Sequence, residues 1–224
     1  MRILAIAFGL LASLAACAQD NNQTTAAPEA AGAVESATYV EGVDYKKLST
    51  PVRTITPGKI EVTEAFAYTC GHCFHFEPLL QAWKKQLGED VELVRLPVIW
   101  RPNMQLLARI MYTGKALKMS EALDARVFNL FHVEKKSVDS EGTAGLVFKA
   151  LGVDEQTFKK TFNSFGVSSQ VQQADARTRS MQITGTPQLI VDGRYSVSAT
   201  KTLGHQGMLK VANFLIEKVR AEQQ

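Results

Sequence analysis

Ile60-Glu61-Val62-Thr63-Glu64-Ala65-Phe66-Ala67-Tyr68-Thr69-Cys70-Gly71-His72-Cys73-Phe74-His75-Phe76-Glu77-Pro78 is the stretch whose reading decides the fold. Over 59–68, Ile60, Val62, Phe66 and Tyr68 share one parity of a two-residue repeat, which predicts a strand with an apolar face. Gly71 breaks that run. Phe76, Leu79, Leu80, Trp83 and Leu87 then recur at three- and four-residue spacing, which predicts a helix over 73–87. Pro78 lies inside that helix, where it removes a backbone donor and should kink it. The Gly88-Glu89-Asp90 turn leads into a second strand over 91–98, and strand, helix, strand is the unit of a parallel sheet with a crossover helix.

Further along, 103–181 changes character. Apolar residues recur at helical spacing, and Ser120, Asp139, Asp154 and Ser168 stand as start signals before successive runs, so four or five helices fit there. Strands return at 188–191 and 195–197, flanking Asp192-Gly193, a strong hairpin signal. Met208, Val211, Ala212, Leu215, Ile216 and Val219 mark an amphipathic closing helix. The reading is an α/β core in two pieces, 39–102 and 182–224, with 103–181 as an inserted helical domain.

The 224 residues, 46% of them hydrophobic, suffice for one good core with a large insertion. A net charge of +3 with scattered basic residues lacks the footprint of a nucleic-acid binder. Three cysteines are too few for a disulfide-stapled scaffold, and the odd one is explained at the N-terminus. Arg2, a short apolar run over 3–12 and Leu14-Ala15-Ala16-Cys17 read as a secretion signal over 1–16, its apolar run too short to span a bilayer. Leu14-Ala15-Ala16-Cys17 also resembles a bacterial lipobox, which would leave Cys17 N-terminal and lipidated; cleavage after Ala18 would discard it instead. Residues 17–38 read as a flexible linker, and a coil of roughly 20 residues has a span of about 25 Å.

Cys70 and Cys73 are the two thiols that remain. Two residues apart at a strand-to-helix junction, they place Cys70 at the mouth of the helix, where unpaired N–H groups and the macrodipole favour a thiolate. His72 between them adds positive charge when protonated. Cys70 is therefore the candidate nucleophile and leaving group, with Cys73 its inner partner in a redox-active disulfide. A structural disulfide would close too small a loop to constrain the chain much, and a zinc site lacks a second cysteine pair, with only His72 and His75 nearby. Covalent haem attachment would need histidine where Phe74 stands. No metal or cofactor is expected.

Glu64 shares parity with the apolar residues of its strand, and Arg95 shares parity with Val91 and Leu93. Such residues are seldom buried unless paired, and adjacent parallel strands would bring these two together beneath the cysteines, where the pair would tune the thiols. His132 and His205 read as ordinary helix or loop residues. Phe74, His75 and Phe76 could shape the surface beside the cysteines, with core packing as the competing reading for Phe76.

From about Tyr39 to the closing helix, the chain resembles the DsbA-type thiol:disulfide oxidoreductases. The resemblance rests on Cys70-Gly71-His72-Cys73 at the first helix, Phe76-Glu77-Pro78 after it, and Gly185-Thr186-Pro187 before the hairpin. It implies a thioredoxin fold with an inserted helical domain, a cis bond before Pro187, and a Thr186 backbone that pairs with substrate. It also implies a periplasmic monomer that oxidises reduced unfolded polypeptides and is itself reoxidised by a quinone-linked membrane partner of the DsbB type; the lipobox reading would hold that monomer to the membrane through Cys17. In that family a lysine pairs with the buried glutamate, so Arg95 is a departure. Gly71 departs as well: Gly-His between the cysteines resembles disulfide isomerases. That leaves isomerase or reductase activity as an alternative, and a thiol-based metal-binding protein as a more distant one.

Overall fold

The computed structural model describes residues 38–200 and 203–223. The expected signal segment, Cys17 and all but the end of the linker lie outside the described residues. Five strands form one sheet in the order β1-β5-β4-β2-β3, with β1 at Lys46–Lys47, β2 at Ile60–Phe66, β3 at Val91–Pro97, β4 at Gln188–Val191 and β5 at Tyr195–Ser198. β2 pairs parallel with β3 and antiparallel with β4. The crossover between β2 and β3 is α1, Gly71–Lys84, and α7, Gly204–Glu222, closes the chain. Between β3 and β4 stand α2 (Pro102–Ala116), α3 (Ser120–His132), α4 (Glu141–Ala150), α5 (Glu155–Phe162) and α6 (Phe165–Ser180). This is the thioredoxin-like fold with a helical insertion.

Every residue of β2 is buried, so the parity argument holds on one side only. Ile60 and Val62 pack with Phe76, Leu80 and Trp83 of α1 and with Val211 and Leu215 of α7. The other side is not wet, because β2 is a central strand and α6 packs there. Glu61, 0% exposed, is fully satisfied on that face. Its Oε1 accepts from Thr63 Oγ1 (2.7 Å) and Arg177 Nη2 of α6 (2.6 Å), and its Oε2 from Ile55 N (2.7 Å) and Thr56 Oγ1 (3.2 Å). Glu61 thus ties the 55–56 segment, β2 and α6 together. Glu61→Gln keeps the volume but sets an NH₂ among donors and takes from Arg177 its carboxylate partner. It should cost about 2–3 kcal/mol, read by urea denaturation.

The helix starts differ from the sequence signals by local capping chemistry. α1 begins at Gly71 rather than 73, because Cys70 itself is the N-cap. Asp154 caps α5 as expected, but α4 is capped by Ser140, one residue past Asp139, in a reciprocal box with Thr143. α6 starts at the Ser164 cap, so Ser168 is inside the helix, where its hydroxyl accepts from Arg109 (3.1 Å). Ser120 opens α3 without a side-chain cap bond. In the β4–β5 hairpin, Asp192 (φ 52°) and Gly193 (φ 62°) both adopt the left-handed region. Gly193 is doubly required, since a Cβ there would lie 1.9 Å from the Val52 carbonyl oxygen.

Candidate active site

The fold brings residues from both ends of the chain to the mouth of α1. Cys70 has extended backbone (φ −87°, ψ 117°), and its sulfur accepts from Cys73 N at 3.4 Å, standing where a serine or aspartate cap would. The thiol also lies 3.3 Å from the Thr186 carbonyl, to which it can donate, and the Thr186-Pro187 bond is cis. Cys70 is partly exposed and Cys73 fully buried; both are thiols here. A hydrogen bond from the Cys73 thiol, aided by the Thr186 side chain and the backbone N–H groups of Cys73 and His72, outweighs burial and lowers the Cys70 pKa to about 5. The same hydrogen bond to Cys70, then burial, pushes Cys73 far above the ordinary thiol range. One proton is thus shared unequally: Cys70 is the sulfur that carries charge and Cys73 the one that keeps hydrogen.

Beneath the pair lies a charged cluster. Glu64 and Arg95 are direct neighbours in the β2–β3 register, and Arg95 Nε is 2.7 Å from Glu64 Oε2. The contact is one of charge rather than aligned hydrogen bonding, so neither carboxylate oxygen of Glu64 accepts a hydrogen bond. Arg95 Nη1 donates instead to both oxygens of Glu77 on α1 (2.9 and 2.8 Å) and lies 3.5 Å from Asp124 Oδ2 on α3, with the guanidinium 4.2 Å over the Phe66 ring. Tyr68 OH donates to Asp124 Oδ1. One cation therefore serves three carboxylates. Burial raises the Glu64 pKa to about 8, against the pull of Arg95 and with Glu77, Asp124 and Cys70 adding to the rise. Burial raises Asp124 as well, with Arg95 and the Tyr68 hydrogen bond opposing.

The sequence reading found Glu64 and Arg95 but missed Glu77 and Asp124. A signal for Asp124 was present: it falls in the buried stripe of α3 with Leu123, Val127 and Phe128, where a carboxylate needs a partner. His132 and His205, read as ordinary, also belong here. The chain's four histidines all stand around this helix mouth. His132 Nε2 donates to the Tyr68 carbonyl (2.7 Å) and stacks on Phe74, whose ring also meets His75. His205 meets His72 and Phe76. Phe76 is fully buried, so its place is in the core. The His72 ring is exposed and turned to His205; what reaches the Cys70 sulfur is its backbone N–H. Among the described residues, no group of three or more His, Cys, Asp or Glu is placed to hold a metal ion.

Chemically, the arrangement presents one nucleophilic, easily displaced sulfur, a second buried one within reach, and a backbone edge beside them. The model of the DSBA-like thioredoxin domain matches residues 79–215. The thiol:disulfide interchange protein DsbA of Pseudomonas aeruginosa is 34% identical over 189 residues, 84% of this chain and 90% of that protein. DsbA of Bordetella parapertussis is 37% identical over 186 residues, 82% and 88% of the two chains. Among solved structures, Pseudomonas aeruginosa DsbA superposes with a TM-score of 0.79 at 34% identity, covering 83% of this chain and 96% of that one. The Neisseria meningitidis oxidoreductase NmDsbA3 superposes with a TM-score of 0.73 at 31% identity, covering 83% and 99%.

Proposed function

The chain belongs to the DsbA-like thioredoxin-domain family of thiol:disulfide oxidoreductases, and from that premise we propose that it oxidises reduced polypeptides in the periplasm with Cys70 as the exchanging sulfur. A substrate thiolate attacks Cys70 Sγ of the Cys70–Cys73 disulfide; the S–S bond breaks and Cys73 leaves with the electron pair and takes up a proton. A second substrate thiolate then attacks the substrate sulfur of the mixed disulfide and displaces Cys70 as a thiolate. The substrate gains one disulfide and the enzyme becomes the dithiol, having accepted two electrons. Reoxidation returns them to a quinone-linked membrane partner of the DsbB type.

The observation that carries this direction is Cys70 at the N-cap of α1, its sulfur accepting from Cys73 N at 3.4 Å, an environment that holds the thiol pKa down. An anion stabilised only in the reduced protein makes the disulfide easy to give away. Thr186, beside the sulfur, offers backbone to an extended substrate segment, which gives affinity with little selectivity. Glu64 and Arg95 act from below on the pair, and 103–181 serves as a helical domain inserted into the thioredoxin-like one. Among the described residues no helix is long and apolar enough to cross a membrane. Any membrane attachment is proposed through a lipid on Cys17, which lies outside the described residues.

Equilibration with glutathione buffers tests the direction. The pair should stand well above the thioredoxin potential of about −270 mV, and a value at or below it defeats the oxidase reading. The isomerase alternative rests on Gly71, which is not sterically required: its φ is ordinary and a Cβ would meet nothing within 4 Å.

A further inference from the structure

Beside Cys70 lies a cavity of about 520 Å³ with one imidazole wall. His72, at the start of α1, and His205, in the first turn of α7, meet edge to face with ring centroids 5.9 Å apart. His205 also packs 5.2 Å from the ring of buried Phe76, which fixes where its imidazole sits. The opposite wall carries Thr184, Thr186, Pro187 and Ser198, and among the described residues no carboxylate lines the cavity. The groups that act on His205 are His72 and His75 from α1 and the Cys70 sulfur; burial first, then the two histidines, hold its pKa down, while Cys70 raises it.

Once Cys70 is in a disulfide, whether with Cys73 or with a substrate, its anion is gone. The two imidazoles then stand side by side on one wall of a polar cavity, with no carboxylate opposite them among the described residues. The cavity borders Thr186-Pro187, and Thr186 is the residue in contact with the Cys70 sulfur. A polypeptide joined to Cys70 therefore places the side chains next to its own cysteine at this opening. Resting on the oxidase reading above, we propose that His205 together with His72 makes this cavity a subsite for an acidic side chain flanking the substrate cysteine. An aspartate or glutamate there supplies the missing counter-charge and lets His205, whose pKa is held down without it, take up a proton, so the preference grows as pH falls.

The test uses pairs of reduced peptides identical except for Glu or Gln beside the cysteine. Each rate with the oxidised protein is divided by that peptide's rate with a neutral small disulfide, which removes the effect of glutamate on the thiol itself. Near pH 5.5 the Glu peptide should react about two- to fivefold faster than the Gln peptide, and near pH 8 the ratio should approach one, as expected for a partly exposed charge pair. His205→Gln should flatten the ratio at both pH values, and His205→Lys, charged throughout, should restore the preference near pH 8. A ratio that ignores pH, or that survives His205→Gln, overturns the subsite. Failure of the oxidase reading would look different, since neither peptide would then be oxidised.

Discussion

Cys70→Ser is expected to reduce dithiol oxidation to the uncatalysed background, while Cys73→Ser, which has no disulfide of its own to give, should attack a disulfide-bonded substrate through Cys70, displace one substrate thiolate and accumulate a mixed disulfide that mass spectrometry detects. The asymmetry follows from position. Cys70 is the partly exposed sulfur at the helix cap, and Cys73 is buried behind it with its proton retained. A substrate thiolate can reach only the former, and without Cys73 there is no internal thiol to expel the substrate again. A mixed disulfide on Cys73 in Cys70→Ser, with none on Cys70 in Cys73→Ser, would reverse the assignment.

The same geometry predicts the pH behaviour of the reduced protein. With a pKa of about 5, Cys70 is already about 99% thiolate at neutral pH, so the ultraviolet absorbance of the thiolate should titrate with a midpoint near 5. Attack on a small neutral disulfide should be nearly flat from about pH 6.5 to 8.5, where an ordinary thiol would accelerate close to tenfold per unit. The stability sign is fixed too. A folded pKa depressed from 9.0 to about 5 contributes stability to the reduced form that is complete above the unfolded value and lost as pH falls through the folded one. The advantage of reduced over oxidised protein should therefore grow between those two pH values.

Much of this was legible in the sequence, and what was not has identifiable causes. The order of strands and helices and the place of Cys70 at a helix mouth follow from local patterns, two-residue repeats, helical spacing and Gly71 as a break. Glu64 and Arg95 could be paired because parity and a parallel register act over neighbouring strands. Glu61 was hidden because period-2 logic assumes one wet face, whereas a central strand sandwiched between helices has none. Asp124, His132 and His205 come from α3 and α7, and nothing local in a sequence says which helix face will close over which strand end. α3 meets this site with Asp124, Phe128 and His132, four residues apart, two bonded to Tyr68 and two in ring contact with Phe74. Such a contact is a property of the packed insertion, not of any motif.

Arg95→Met should be the most damaging change away from the cysteines, at about 3–5 kcal/mol near neutral pH, because it leaves Glu64, Glu77 and Asp124 clustered without their cation. Against a total of about 5–15 kcal/mol for a domain, that is enough to unfold a large fraction at moderate temperature. The loss should depend on pH. Glu64, whose folded pKa of about 8 lies above its ordinary 4.5, holds a proton in the folded protein that the unfolded chain has released. Its contribution is fully present below the unfolded value and is lost as pH rises through the folded one, so stability already falls with pH in the wild type. Removing Arg95 removes the one group that draws the Glu64 pKa down, which carries that decline to higher pH and adds unpaired charge on Asp124 and Glu77. The gap between wild type and Arg95→Met should be smallest near pH 5 and widen toward pH 8, in urea denaturation at both values. Glu64→Gln in the Arg95→Met background should recover part of it at pH 8, because glutamine is neutral at every pH and folding then no longer has to draw a proton onto this buried site. A loss that is the same at both pH values, or that Glu64→Gln deepens, would mean that Arg95 acts by packing over Phe66 and not as the counter-charge of this cluster.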